Sequence, residues 1–285
     1  MKLAIGTANF GNNYGLKKFK LEKKEINRIF KFLDVNKINL IDSASIYGNA
    51  EKIIGNQKLE KKKIVTKIFI KNQKYPEKYA FSLLKKNLQR LKVRKIYACL
   101  IHNIYDLKKK DRILFFQSLR YLKKSNIVEK IGFSIYSPKD LENFKNFFKP
   151  DILQIPINIF DRRFENKFFK KYIYKNKIEI HSRSCFLQGL IIDYQKNITK
   201  FKKFEKWDFL FKRLDQFCEK FSINRMEACI LYLKKIKMIN YAIFGFENIE
   251  QLKMTYSLFN QNLKKLKFPK NLSSRDEKLI DPRKW

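Results

Sequence analysis

Short apolar runs alternate with longer amphipathic stretches along almost the whole chain. Eight runs rich in branched and aromatic residues have the length and composition of buried strands: Leu3–Ala8, Asn39–Ala44, Lys63–Ile68, Ile96–His102, Lys130–Tyr136, Ile152–Asn158, Ile178–Cys185 and Met238–Gly245. Between them, apolar residues recur every three or four positions, which predicts helices over Glu22–Asn36, Glu77–Leu91, Lys108–Asn126, Pro138–Phe147, Arg162–Asn176, Lys203–Phe221, Arg225–Lys235 and Asn248–Asn260. A repeated strand-then-helix unit predicts a parallel sheet covered by helices.

The number of repeats favours a closed sheet. Eight units in 285 residues fit a (β/α)8 TIM barrel of the α/β class. We expect this barrel to be a single domain over residues 1–262, followed by a basic C-terminal tail, 263–285, that either wraps the barrel or lies loose. The alternative is an open, doubly wound sheet, which usually has a GxGxxG motif after its first strand; the sequence has none there.

Composition excludes several classes of protein. Hydrophobic residues make up 45% and aromatic residues 15%, which is too apolar for a disordered chain. No apolar run approaches about 18 residues, and the first residues do not resemble a signal peptide, so we expect a cytoplasmic protein without a membrane partner. The cysteines form no CxxC pair and are predicted to be reduced, buried thiols, and no metal-ligand cluster is expected: Cys99, Cys185, Cys218 and Cys229.

The formal net charge of +37 has two explanations. A strongly basic protein can bind nucleic acid or an anionic surface. Alternatively, a bias toward Lys, Asn, Ile, Phe and Tyr places lysines on every exposed surface. The basic residues are spread through every segment and form no separate arm, which favours compositional bias. We therefore predict no specific nucleic-acid partner, with weak, salt-dependent binding at most.

The residues capable of chemistry lie at the ends of three successive predicted strands. Asp42 ends the second strand, and Tyr47 follows it in a glycine-containing loop. Lys67 lies near the end of the third strand, and His102 ends the fourth. In a barrel these ends meet on one face, where active sites are built. Each residue alone has an ordinary explanation, such as a cap, a rim residue or a core histidine, but their order and placement together predict a site.

The chain resembles the aldo-keto reductase family over nearly its whole length. The resemblance rests on the ordered Asp, Tyr, Lys and His, within a D-x4-YG-x2-E pattern, and on later segments. These segments are GFSIYSP, QIPINIFDRR, RSCFLQGL and GFENIEQL. The resemblance implies a (β/α)8 fold and an NAD(P)H-dependent oxidoreductase that acts on a small carbonyl substrate, with Asp42, Tyr47, Lys67 and His102 as its catalytic tetrad.

The chemistry of carbonyl reduction explains these residue types. Hydride addition to a carbonyl carbon requires a proton for the oxygen, and a neutral tyrosine such as Tyr47 can donate it. Lys67 would stabilise the tyrosinate that remains, and Asp42 would keep Lys67 charged against desolvation. A neutral His102 would donate a hydrogen bond to the carbonyl oxygen and orient it.

The resemblance also implies the cofactor site. The family holds the nicotinamide carboxamide with a Ser-Asn pair and a Gln; Ser134 and Gln154 match, but Ile135 replaces the Asn. Where the family usually places an aromatic ring that stacks on the nicotinamide, this chain has Arg183, whose planar guanidinium can also stack. Phe186 is the nearby alternative.

The segment after the eighth strand departs from the family pattern for NADP. Gly245, Phe246 and Gln251 stand where the family usually has Lys-Ser and, further on, an Arg for the 2′-phosphate. Lys253 or Arg183 could compensate, and the backbone N–H groups of a helix beginning at Asn248 could bind a phosphate. The resemblance therefore implies NADP(H), and these replacements leave NAD(H) open.

Substrate recognition is expected in the loops after the strands. Phe10 and Tyr14, in the first loop, are predicted to line the pocket, and the asparagines beside them suit a hydroxylated, sugar-like substrate. These asparagines and glycines could equally form only a turn. The altered cofactor positions leave one alternative function open, a nucleotide-binding regulatory protein or a catalytically impaired relative. The oligomeric state is not predicted.

Overall fold

The fold positions eight strands side by side in chain order. The computed structural model describes residues 1–15, 20–70, 76–106, 112–194, 202–261 and 266–285, with the side chains of 76–79 left aside. The strands are β1 Lys2–Gly6, β2 Leu40–Asp42, β3 Lys63–Ile68, β4 Ile96–Ile101, β5 Val128–Ser134, β6 Ile152–Pro156, β7 Glu179–Arg183 and β8 Tyr241–Phe244. All neighbours pair in parallel, and β8 pairs with β1, which closes the barrel. The predicted (β/α)8 fold is confirmed.

The α-helices are amphipathic and follow the strands. They are α1 Ala8–Gly11, α2 Lys23–Val35, α3 Ala50–Ile54, α4 Pro76–Leu91, α5 Arg112–Lys124, α6 Lys167–Lys175, α7 Asp208–Phe221, α8 Arg225–Lys235, α9 Ile249–Asn260 and α10 Glu277–Ile280. In α2, Ile26, Ile29, Phe30 and Leu33 form the buried face at helical spacing. Burial of such stripes against the outside of the strands provides most of the hydrophobic stabilisation.

A second apolar cluster fills the inside of the barrel. Its members come from six different strands and are buried: Ala4, Leu40, Val65, Tyr97, Ala98, Leu100, Ile152, Tyr241 and Ile243. Branched and small side chains in layers are typical of barrel interiors, which are packed cores and not pores. The chemistry is therefore confined to the ends of the barrel.

One predicted helix, Pro138–Phe147, is shorter and of a different type. The structure has a 3-10 helix over Pro138–Asn143, begun by a capping box in which Ser137 and Asp140 bond each other's backbone N–H groups. Beyond it, Phe144 and Phe148 turn inward onto Phe133, with ring centroids 4.2 and 5.4 Å away. Packing of these rings overrides the helical spacing.

Two other helices begin later than predicted, one of them at a polar cap and the other after a 3-10 segment. Asn166 accepts a hydrogen bond from the backbone of Phe169, so α6 begins at Lys167 and not at Arg162. The segment Lys202–Trp207 forms a 3-10 helix before α7. The first residues of the predicted helix Lys108–Asn126 lie outside the described residues, and α5 is described from Arg112.

The C-terminal segment packs on the barrel as far as it is described. Leu272, Leu279 and Ile280 are buried, and the backbone of Ser274 donates to the carbonyl of Phe160 at 2.9 Å. The predicted boundary at 262 lies outside the described residues, so the division into barrel and tail stays a prediction.

Two further sequence features can be compared with the structure. All four cysteines are free and buried, as predicted. Among the described helices, none combines the length and the apolar character that crossing a bilayer requires.

Candidate active site

The main cavity opens at the carboxyl ends of the strands. Its volume is about 370 Å³, and its lining includes all four predicted catalytic residues together with groups from β5 to β8 and from the C-terminal segment. Asp42, Tyr47, Lys67 and His102 thus come together as the sequence predicts.

A buried ion pair forms the floor of this cavity. The Lys67 ammonium lies 2.7 Å from both carboxylate oxygens of Asp42 and donates a third hydrogen bond to the carbonyl of Ser43 at 2.9 Å. Both side chains are almost completely buried. Burial lowers the pKa of the Lys67 ammonium, and the Asp42 carboxylate opposes this change. The carboxylate therefore helps to keep a charged lysine in an apolar barrel.

Tyr47 lies directly above this ion pair. The Lys67 Nζ atom is 5.4 Å from the centre of the Tyr47 ring and makes no hydrogen bond to its hydroxyl, since its three N–H groups serve Asp42 and Ser43. Burial first, and then the charge of Asp42, raise the pKa of the Tyr47 hydroxyl well above its usual value. Tyr47 is thus neutral at neutral pH, and its hydroxyl bonds to no described residue.

The loop that carries Tyr47 is held by close backbone packing against α1. A Cβ atom on Gly11 would lie 1.9 Å from the carbonyl oxygen of Tyr47, so only glycine fits there. Gly48 adopts a φ of +56°, and the Asn12 side chain donates to the carbonyl of Ile46 at 3.0 Å. These contacts fix the phenol relative to the barrel.

His102 lies beside Tyr47 in the cavity. Its ring centre lies 6.2 Å from that of Tyr47, and the two rings are perpendicular. Burial, with smaller effects from the Lys67 and Arg183 charges, lowers the pKa of His102 to about 3. The imidazole is therefore neutral at neutral pH, and its buried Nδ1 atom has no partner among the described residues. A neutral ring of this kind can donate one hydrogen bond to a ligand.

Ser134 and Gln154 lie side by side on β5 and β6 and line the cavity. The Gln154 amide nitrogen donates to Asp42 at 2.7 Å, which leaves the Gln154 carbonyl oxygen without a partner. The Ser134 hydroxyl is also buried and unpartnered within the described residues. Buried polar groups are normally satisfied, so a donor and an acceptor left together fit a carboxamide ligand. Ile135 is fully buried in the core and does not line the cavity.

Arg183 reaches away from β8 and toward β5. Its guanidinium lies 4.1 Å from the centre of the Tyr136 ring, and one N–H group donates to the carbonyl of Ile135 at 3.4 Å. Tyr136 follows β5, so the side chain crosses over β6 at the mouth of the barrel. The sequence did not single out Tyr136, and no signal in it could have placed this ring beside Arg183.

The predicted nucleotide segment lies at the β8 side of the cavity. Gly245 and Gln251 line the cavity, and a Cβ atom on Gly245 would meet nothing within 4 Å. The Gln251 carbonyl oxygen accepts from the backbone of Glu247 at 2.9 Å and so helps to form the start of α9. Lys253 is exposed beside Glu250 and does not line the cavity, which removes it as a nearby cation.

The two aromatic residues predicted in the first loop have different positions. Tyr14 lines the cavity, with its ring centre 6.4 Å from that of Tyr47. Phe10 does not: it is almost fully buried and packs against Phe30 of α2, so the prediction for Phe10 is wrong. Phe10 is one of the two buried residues of α1, and its ring belongs to the hydrophobic core.

Sequence reasoning also missed residues from the C-terminal segment. Asp281, Pro282 and Arg283 line the cavity, and the Arg283 guanidinium lies 3.3 Å from the centre of the Tyr136 ring. The tail therefore forms part of the wall of the site. Its path depends on packing of Leu279 and Ile280, which a local sequence pattern does not reveal.

Comparison with known proteins agrees with this geometry. The Aldo/keto reductase family model matches residues 2–271, and the chain belongs to this family. Such a protein is an oxidoreductase of carbonyl compounds, and the family uses nicotinamide dinucleotides. Among curated proteins, no sequence matches the chain.

Solved structures share the fold at low sequence identity. A glycerol dehydrogenase from Gluconobacter oxydans is 22% identical, with a TM-score of 0.70, over 92% of this chain and 87% of that one. An aldo-keto reductase from Bacillus halodurans, solved in its holo form, is 15% identical, with a TM-score of 0.72, over 95% of both chains. At these identities the likeness shows the barrel fold alone.

Proposed function

We propose that this protein reduces an aldehyde or ketone to the alcohol, or catalyses the reverse reaction, with Tyr47 as the proton donor. The observation that carries the proposal is the buried Asp42–Lys67 ion pair beneath Tyr47, with a neutral His102 beside the phenol ring. Each of these groups serves a proton transfer to a carbonyl oxygen, and all four line one cavity.

Each residue has a distinct part in the proton transfer. His102 donates a hydrogen bond to the carbonyl oxygen and orients the substrate. Tyr47 transfers its hydroxyl proton to that oxygen as negative charge develops there. The Lys67 ammonium stabilises the tyrosinate through its charge, and Asp42 holds the ammonium in position. A bound nicotinamide supplies the hydride.

The polar groups around the cavity fit such a cofactor. Ser134 and Gln154 offer an unpartnered hydroxyl and carbonyl oxygen to a carboxamide. Gly245 leaves open space at the β8 side, and Gln251 lines the cavity beside it, which supports a nucleotide there. NADP(H) is the expected nucleotide, with NAD(H) open. The expected stacking of Arg183 on the nicotinamide stays a prediction, and the position of its guanidinium beside Tyr136 also supports a second role.

Replacement of Tyr47 by phenylalanine tests the proposal. The change removes the transferred proton and leaves the ring in place, so turnover of an aldehyde panel falls by about 100-fold or more. Fluorescence titration with NADPH, and separately with NADH, gives unchanged dissociation constants, because Tyr47 does not hold the nucleotide. Retained turnover in the purified variant contradicts the assignment of the proton donor.

A second candidate function is a protein that binds the nucleotide with little chemistry, either a regulatory protein or a catalytically impaired relative. The replacement of a carboxamide ligand by the buried Ile135 favours it. It predicts nucleotide binding without turnover of any aldehyde, ketone or sugar in the panel. The complete tetrad favours the enzyme.

The expected partners follow from the family and from the net charge. The substrate is a small molecule, and binding to nucleic acid is expected only at low salt, with a steep salt dependence, because the +37 charge is spread over the surface. The cytoplasmic location and the oligomeric state are open to direct measurement.

A further inference from the structure

Arg183 is a cation in the cavity wall without an acidic partner. Within the described residues, no carboxylate lies within ion-pair distance of its guanidinium, and its two hydrogen bonds, to the carbonyl of Ile135 and the hydroxyl of Ser184, are 3.4 and 3.5 Å long. Its Nε atom is buried and has no partner among them. A guanidinium carries five N–H donors, so these two long hydrogen bonds leave donors of Arg183 without a partner among the described residues.

The other charges of the cavity are already committed. Asp42 is paired with Lys67, and Asp281 is paired with Arg283, whose Nε atom lies 2.9 Å from the carboxylate. No ion pair links Arg183 to either of the other acidic groups in the lining, Asp193 and Glu247, in the described part of the chain. Of the cations in the lining, Lys67 and Arg283 are each paired with a carboxylate, and within the described residues no ion pair is found for Arg183.

Tyr136 holds this charge in place. The guanidinium groups of Arg183 and Arg283 lie 4.1 and 3.3 Å from the centre of its ring, and two groups this close to one ring must occupy opposite faces. Stacking on an aromatic face fixes the plane of a guanidinium and leaves its N–H edge free for a bidentate contact. Such an edge matches a carboxylate or phosphate.

The direction of the side chain favours the substrate over the nucleotide phosphates. Arg183 reaches toward β5, whereas the start of α9 lies after β8. Its charge acts at the catalytic centre, since it contributes, after burial and Lys67, to lowering the pKa of His102. The guanidinium thus lies at the β5 side of the same cavity that Tyr47 and His102 line.

We propose that the substrate of this enzyme carries an anionic group, a carboxylate or a phosphate, that binds to the Arg183 guanidinium on the Tyr136 ring. Arg183 is then the specificity-determining residue, and neutral carbonyl compounds of the same shape are poor substrates. The inference rests on the proposed carbonyl reduction, because it uses the same cavity.

Two isosteric aldehydes test the preference. Initial rates of the full chain are measured with NADPH, or with NADH if it binds more tightly, on 4-carboxybenzaldehyde and on 4-formylbenzamide. The charged aldehyde is preferred by about 10- to 100-fold in kcat/KM, as expected for a hydrogen-bonded ion pair that forms only with the carboxylate. Arg183→Met loses this preference, and Arg183→Lys, which keeps the charge without the fork, retains part of it.

Arg283→Met is the matched control, because it removes the other guanidinium on the same ring, one that Asp281 already neutralises. This variant keeps most of the preference. Thermal unfolding of every variant checks that the chain is folded.

A binding measurement separates this proposal from the proposed function. Calorimetric titration with benzoate and benzamide needs no turnover, and benzoate binds more tightly to wild type but not to Arg183→Met. If no aldehyde is turned over and this benzoate preference is present, the anion site stands and carbonyl reduction falls. Equal affinity and equal rates for charged and neutral probes in wild type overturn the anion site. A preference unchanged in Arg183→Met, with nucleotide affinity weakened, also overturns it and assigns Arg183 to the cofactor.

Discussion

The two ends of the barrel are built from the same kinds of residue and differ in what is left unpaired. At the carboxyl ends, Lys67 and Asp42 form a buried ion pair under Tyr47. At the amino ends, Glu179 contacts Lys130, accepts from the Tyr97 hydroxyl at 2.9 Å, and lies 2.6 Å from the ring of His181. Each end therefore combines an ion pair with a tyrosine and a histidine.

The difference lies in the tyrosine hydroxyl and its surroundings. The Tyr97 hydroxyl is bonded to the Glu179 carboxylate, and both burial and that carboxylate raise its pKa. The Tyr47 hydroxyl bonds to no described residue and faces a cavity. Of the buried polar atoms left unpartnered in the described residues, one lies in the amino-end cluster, on His181, and five belong to residues that line the cavity: Asn9, His102, Ser134, Gln154 and Arg183.

This comparison shows how one fold separates stability from chemistry. At the amino end, the polar groups bond to one another and so stabilise the barrel. At the carboxyl end, polar groups without partners are available to a ligand. Replacement of equivalent residues at the two ends tests this comparison.

Removal of the lysine at each end gives the largest contrast. Lys67→Met deprives the developing tyrosinate of its stabilising charge and lowers kcat by about 100-fold or more, in line with the loss of one preorganised electrostatic group. Lys130→Met leaves the kcat of the folded enzyme almost unchanged, because Lys130 contacts only the amino-end cluster.

Steady-state rates on the best aldehyde of the panel, normalised to the folded fraction from circular dichroism, measure this contrast. An equal loss of kcat in both variants means that the ends are coupled, and the separation of stability from chemistry is then wrong.

The sequence predicts the carboxyl end of the barrel far better than the amino end. The residues at the carboxyl end can be predicted because they follow strand ends, and strand ends are predicted from local apolar patterns. These residues are Asp42, Tyr47, Lys67 and His102. The amino-end cluster cannot be predicted from the sequence. In a chain with 64 Lys and Arg residues, Lys130 carries no signal, and only the barrel register places it near Glu179 and Tyr97.

The sequence also could not predict how side chains reach across the mouth of the cavity. Position alone put Arg183 in the site, but its contact with Tyr136 depends on a side chain that crosses a whole strand. Arg283 arrives from the C-terminal segment, far away in sequence, through packing of apolar tail residues. Long-range contacts of this kind depend on the complete fold, not on a local pattern.

Glu179→Gln gives the next largest effect, on stability. Burial alone would raise the pKa of Glu179, but the hydrogen bonds from His181 and Lys130 outweigh it and hold the pKa at about 2. A carboxylate with a lowered pKa stabilises the folded state above its unfolded pKa, so about 3 kcal/mol is present at neutral pH and is lost as the pH falls from about 5 to 2.

Urea unfolding of wild type and Glu179→Gln at pH 7, 5, 4 and 3 measures this contribution. The difference in free energy of unfolding between the two proteins shrinks steadily below pH 5. A difference that stays constant over this range means that the carboxylate charge does not stabilise the barrel, and that the two ends differ less than the contacts indicate.

The two histidines of the chain give the smallest and most specific contrast. Because the pKa of His102 is about 3, its ring gains a proton only in acid, and the pKa of Tyr47 lies well above neutrality. The kcat for carbonyl reduction is therefore flat from pH 5 to 8.

His102→Leu removes one hydrogen bond to the carbonyl oxygen and lowers kcat roughly tenfold, whereas His102→Asn, which keeps an N–H donor, recovers part of the rate. His181→Asn, at the other end, lowers the unfolding midpoint without changing the rate of the folded enzyme. A sigmoidal pH profile centred near 6.5, the ordinary pKa of histidine, contradicts the neutral assignment, since it requires an imidazole that titrates in water and not one buried beside Lys67.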